Sequence, residues 1–182
     1  MRHETHELVG ASLALATDHA VHAGPVQTAG LVAAALCGSW LPDIDQLGAR
    51  IHGRSRFERR SVIVGAFGAA IRLPAVAFAA LVPHRAITHS AVACAAVAFI
   101  AAVIVPSVGT GAALVVGGGV GIGYGAHVIA DACTPGGVRL WSPFSRRRVW
   151  LLPPRFRIPT GSWREAAFAG LAGAAVAVAL LA

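Results

Sequence analysis

The chain is predicted to be an all-α, polytopic membrane helix bundle of about five spans plus a re-entrant or interfacial helical segment. Three observations carry that prediction. Of the 182 residues, 56% are hydrophobic and only 13% charged, roughly half the charged share of a soluble domain. The mean hydropathy is +0.68, and a chain this short could not hide so much apolar surface from water. The apolar runs are separated by Pro, Gly and Arg-rich stretches, with ionisable residues gathered at the ends of the runs rather than along them.

Residues 7–22 read as a first helix, apolar from Leu8 to Ala16 and polar toward Asp18 and His19. Those two residues also interrupt the run too early for a signal peptide. Gly24-Pro25 breaks the helix, and residues 27–42 form a second one that stops at Pro42. At 1.5 Å per residue it is about 24 Å long, short for a span. A polar stretch, 43–60, carries five arginines.

Residues 61–82 are apolar but interrupted by Arg72 and Pro74. Proline removes a backbone donor and kinks a helix, so this stretch reads as two short re-entrant or interfacial pieces. Spans follow over 89–106 and 111–131, the latter with Gly117, Gly121 and Gly125 at the small-xxx-small spacing that lets helices approach in lipid. A polar loop rich in Arg, Pro and Trp covers 132–163, and a last apolar helix runs from Arg164. No repeat or linker divides the chain, so 1–182 reads as a single integral membrane domain.

If 61–82 does not cross, one face collects 14 of the 15 arginines, Arg72 being the exception. The positive-inside rule makes that face cytoplasmic, and the protein a multi-pass cell-membrane protein. The charge, +7 with no Lys, suits contact with a bilayer of anionic lipids. No aromatic-interleaved basic motif accompanies it, so no nucleic-acid partner is expected. Cys37, Cys94 and Cys133 are dispersed and odd in number, which argues against a disulfide framework. The sequence leaves the oligomeric state open.

The same face gathers His6, Asp43, Asp45, His84, His89, His127 and Asp131, each at or near the end of an apolar helix. An ionisable group at a helix centre costs about 2.5–3.5 kcal/mol on insertion, and less toward the ends. A divalent metal gives the group one common explanation, since it neutralises carboxylates and coordinates neutral imidazoles together. His127 and Asp131 are four residues apart and share a helix face. Asp43 and Asp45 follow Pro42, and if extended they point to the same side. Taken singly, each Asp is more ordinarily a cap and each His an interfacial residue. His3, His19, His22, His52, Glu4, Glu7 and Asp18 keep that plainer reading. Thr88 or Ser90 could cap the helix that begins there.

The runs Leu41-Pro42-Asp43-Ile44-Asp45, His84-Arg85-Ala86-Ile87-Thr88-His89-Ser90, and Gly123 to His127 through Asp131-Ala132-Cys133-Thr134-Pro135-Gly136-Gly137 resemble the YdjM-like membrane-bound metal-dependent hydrolases. That family's pattern looks like LPDID, HRGxTHS and GxxSHxxxDxxTxxG followed by a Trp-Pro stretch. Trp141-Ser142-Pro143 is similar to the latter, and His6 to the family's early histidine. Ala86 stands where the pattern has Gly, and Ala126 where it has Ser.

The resemblance implies hydrolysis and leaves the substrate open, a phosphoester or a lipid-like molecule being preferred. One or two divalent ions, zinc or alternatively manganese, would be held by members of the seven-residue set. Asp45 is the candidate general base, and Arg85 either the candidate anion-binding residue or, equally, a structural ion-pair partner of Asp43 or Asp131. Thr88, Ser90 and Thr134 are candidates for orienting the ligands by hydrogen bonds. Two other classes fit the same residues: a metal or proton transporter, and a non-catalytic scaffold stabilised by its metal.

Overall fold

The computed structural model describes residues 1–21, 24–45, 87–104 and 110–181, with the side chains of Ile44, Asp45 and Thr110 excepted. The 61–82 stretch, and the choice between crossing and re-entry, lies outside the described residues, as do His22, His52, His84 and Arg85. Among the described residues there are five α-helices: α1 (His3–Val21), α2 (Pro25–Trp40), α3 (Ala91–Ile104), α4 (Thr110–Ala132) and α5 (Trp163–Leu181). Short 3-10 turns occupy Pro42–Asp45, Ile87–His89 and Pro154–Phe156. The described part is all-helical, its β structure limited to one isolated bridge between Val138 and Val149.

Helix boundaries follow local chemistry. Pro25 does not merely end α1; it opens α2 with Gly24 as its N-cap, where the missing N–H costs nothing. Ser90 caps α3, its Oγ accepting the Ala93 N–H at 3.1 Å. Helix α1 begins at His3, four residues before the start at residue 7 that the sequence suggests. Its polar first turn is held by Glu165 of α5, which accepts from the Thr5 hydroxyl at 3.3 Å and from the Arg2 N–H.

Helix α4 is central, packed on α1, α2 and α3, while α5 packs on α1. The α2–α4 contact is backbone to backbone. A Cβ on Gly123 would overlap the Ala35 carbonyl, and one on Gly38 would overlap Val120. This is the close approach that small residues permit in lipid; the Gly117/Gly121/Gly125 stripe makes its own against α3, where Gly117 and Gly121 lie tight on Ala98 and Ala102.

Among the described residues two helices, α4 over Gly111–Ala132 and α5, are long and apolar enough to cross a membrane, fewer than the five spans expected. Helices α2 and α3 have 16 and 14 residues, about 24 and 21 Å against a hydrocarbon core of about 30 Å. Helix α1 has the length, but Glu4, Glu7 and Asp18 dilute its apolar character. Helix α5 leaves Leu171, Val178, Leu180 and Leu181 exposed, a surface that lipid covers and water does not.

The helices place their polar ends together. The first turns of α1, α3 and α5 and the last turns of α2 and α4 meet at one end of the bundle. The Pro42–Asp45 and Ile87–His89 turns lie at this same end. The loop after α4 folds over the same end. Leu151 N–H donates to Ala132 O and Ile158 N–H to Cys133 O, both at 3.0 Å. The Trp150 indole donates to Pro135 O at 3.1 Å and covers Gly137, whose φ of +60° favours glycine. The three cysteines are free thiols.

Candidate metal centre

His127 lies one turn before the end of α4, fully buried. Its Nδ1 is 2.7 Å from the carbonyl oxygen of Ser39, in the last turn of α2. A carbonyl only accepts, so Nδ1 carries a proton, and in the neutral ring that binds metal Nε2 carries the lone pair. That lone pair has no hydrogen-bond partner among the described residues. It stands 3.5 Å from Asp43 Oδ1 and 4.0 Å from Asp131 Oδ2.

Two further imidazoles close on the same point. His89 Nε2 is 3.5 Å from Asp131 Oδ2 and 3.7 Å from Asp43 Oδ1, and its Nδ1 lies 3.1 Å from the Thr88 hydroxyl. The His6 ring stacks on His127 with centroids 3.6 Å apart, and its Nε2 is 3.5 Å from Asp131 Oδ1. All five side chains are buried, Asp43 being the most exposed at 5%.

These separations are too long for good hydrogen bonds, and a lone pair facing two carboxylates is repulsive unless a cation stands between them. Nitrogen and oxygen ligands about 2.1 Å from a tetrahedral ion are about 3.4 Å apart, close to the spacing here. Two overlapping sets of ligand atoms each fall within 4.8 Å: His6, His127 and Asp131, and Asp43, His89 and His127. The donor chemistry therefore fits a divalent cation.

The protonation states agree with that use. Burial would raise the Asp43 pKa, but the imidazoles of His127, His89 and His6 around it hold it well below the usual carboxylate range. Burial lowers His89 below the ordinary histidine value. An ionised carboxylate and a neutral imidazole are the forms that bind metal.

Of the seven ligands suggested by the sequence, the fold brings together His6, Asp43, His89, His127 and Asp131. The backbone of Asp45 closes the Pro42–Asp45 turn beside them, while its side chain, with His84 and Arg85, lies outside the described residues. Thr88 touches a ligand ring directly. The Ser90 hydroxyl is spent on the α3 cap and on Ile87 O at 2.7 Å, and the Thr134 hydroxyl donates to the backbone carbonyl of Asp131 at 2.7 Å.

Four participants were not apparent from sequence. Ser39 acts through its carbonyl, Tyr124 donates its hydroxyl to Thr88 O, and the Met1 amino group is 2.8 Å from Asp131 Oδ1. His3, one-third exposed, places Nδ1 3.6 Å from Asp43 Oδ2. Only the tyrosine had a visible signal, an isolated polar aromatic one turn before His127.

This chain belongs to the YdjM inner membrane protein family. The family model matches residues 1–182. No curated protein and no solved structure matches the chain. The residues through which it resembles the YdjM family, in the Leu41–Asp45, His84–Ser90 and Gly123–Gly137 runs, thus include four of the five that converge, and the early His6 is the fifth.

Proposed function

We propose that this YdjM family member is a membrane-embedded metal-dependent hydrolase. Its His/Asp centre would lie at the cytoplasmic face and act on a phosphoester or lipid-like substrate. The observation that carries this reading is the His127 Nε2 lone pair, buried and aimed between two carboxylates. A divalent cation held there, zinc or alternatively manganese, would supply Lewis acidity and acidify water near neutral pH.

His127 has one lone pair to give, because Nδ1–H is committed to Ser39. The two ligand sets therefore cannot both be filled through it, which favours a single ion drawing on His6, His89, Asp43 and Asp131. The reaction is hydrolysis: a water oxygen bonds to phosphorus, the ester P–O bond breaks, and the leaving alkoxide takes a proton. Asp43 has an oxygen turned toward the partly exposed His3, a route by which a proton can pass between the buried site and solvent. Asp45 as general base and Arg85 as the anion-binding residue remain the roles assigned from sequence.

The cytoplasmic orientation is supported by eight described arginines at the centre's end of the bundle: Arg2, Arg139, Arg146, Arg147, Arg148, Arg155, Arg157 and Arg164. With α1, α2 and α3 also crossing, the bundle has five passes. The transporter reading is weakened at the far end, where Asp18 accepts from Thr28 Oγ1 at 2.8 Å and His19 meets the Ala179 carbonyl. Those groups are used locally.

The test is hydrolysis of a soluble phosphodiester, bis(4-nitrophenyl) phosphate, by the purified chain loaded with zinc or manganese. Turnover lost in His127→Ala is expected. Movement of zinc into proteoliposomes, without turnover, would overturn the reading in favour of transport.

A further inference from the structure

Beside the metal centre, on the exposed side of α3, runs an apolar groove of about 400 Å³. Val92, Ala93, Ala96 and Val97 form one wall, Leu41 the other, and Tyr124 the floor. At its polar end stands Thr88, whose hydroxyl is 3.1 Å from the Nδ1 of the ligand His89. The floor is tied to the same residue, since the Tyr124 hydroxyl donates to Thr88 O. The groove therefore leads from the exposed face of α3 to within one side chain of the metal ligands.

Positive charge predominates at that end. Eight described arginines lie there, against Glu4 and Glu7 as the accessible carboxylates, Glu165 being buried and hydrogen-bonded. Arg139 precedes Leu140, whose carbonyl accepts the Ala91 N–H at 2.9 Å, so the backbone next to this arginine lies against the start of α3. The exposed Trp141, Trp150 and Trp163 belong to the same end, where indole rings meet lipid head groups.

We propose that this groove seats one acyl chain of an anionic phospholipid, bringing its phosphate to the Thr88–His89 edge of the cluster. The groove selects a chain, the arginines a negative head group, and the depth of the cluster sets which linkage is presented. The inference rests on the hydrolase reading for the fate of the phosphate, and on the groove alone for binding.

The experiment uses the full chain in phosphatidylcholine vesicles doped with phosphatidylglycerol bearing a photoactivatable diazirine on its acyl chain. Labelling is expected to concentrate on Val92–Val97 and Tyr124, and to survive His127→Ala. Ala96→Phe within the groove and Val92→Trp at its rim, both at exposed positions, are each expected to cut labelling about ten-fold by overfilling the site. Metal content should be unchanged in both. Labelling no denser there than on Leu171–Leu181 of α5, or unchanged in both variants, would overturn the proposal. Equal labelling by the phosphatidylcholine diazirine would overturn its anionic part. Labelled protein with no turnover of any phosphoester would uphold the groove while removing the hydrolase reading.

Discussion

The ring of His127 and the carbonyl of Ser39, 88 residues apart in sequence, meet at 2.7 Å. This one contact sets which nitrogen of His127 faces the two carboxylates. It exists because α2 and α4 touch backbone to backbone at Gly38 and Gly123, four residues before His127 and one before Ser39.

Gly123→Val should therefore damage the centre without touching a ligand. The added side chain forces α2 away and moves the Ser39 carbonyl out of reach. Loss of such an orienting partner typically costs 10–100-fold in metal affinity, and overpacking adds about 1–3 kcal/mol of destabilisation. Zinc affinity measured by competition with a chelator checks the first, and thermal unfolding in detergent the second.

Glu165→Ala should loosen the first turn of α1, because the carboxylate holds both the Thr5 hydroxyl and the Arg2 N–H. The buried Thr5 hydroxyl loses its acceptor, at a cost of about 1–3 kcal/mol, and the part-buried Arg2 N–H, which water can reach, loses less. His6 is next to Thr5, so its share of metal binding should fall as well. Glu165→Gln, which keeps one acceptor oxygen, should recover part of both losses in the same two assays.

Tyr124→Phe removes only the hydroxyl that donates to Thr88 O. A loss of about 0.5–1.5 kcal/mol in stability is expected, with the metal retained. A complete loss of bound metal in this variant would mean that Tyr124 belongs to the centre itself.

Asp18→Ala combined with His19→Ala should leave metal content and turnover at wild-type levels, since these groups bond to Thr28 and to the Ala179 carbonyl at the far end. A fall in metal uptake into proteoliposomes, with binding intact, would point to a path through the bundle.

Much of this architecture is legible in the sequence, for physical reasons. Apolar runs bounded by Pro25, Pro42 and Ser90 mark the helices, and ionisable residues at their ends mark the polar end of the bundle. What is not legible depends on contacts between distant segments. The start of α1 at His3 depends on Glu165, about 160 residues away, and hydropathy cannot register a polar turn satisfied by another helix. The role of Ser39 is carried by a backbone carbonyl that every residue type possesses. His3 looked like an ordinary interfacial histidine, and its approach to Asp43 follows only from how α1 meets the Pro42–Asp45 turn. The short α2 shows why counting apolar residues overstates the helices that meet a span's length.

The most direct measurement is elemental analysis of the detergent-purified chain beside a His127→Ala/Asp131→Ala double variant, with circular dichroism to show that both are helical. About one equivalent of zinc or manganese per chain is expected in the wild type, with none in the folded double variant. No metal in the wild type after incubation with excess zinc would contradict the centre, and two equivalents would contradict the single ion set by the His127–Ser39 contact.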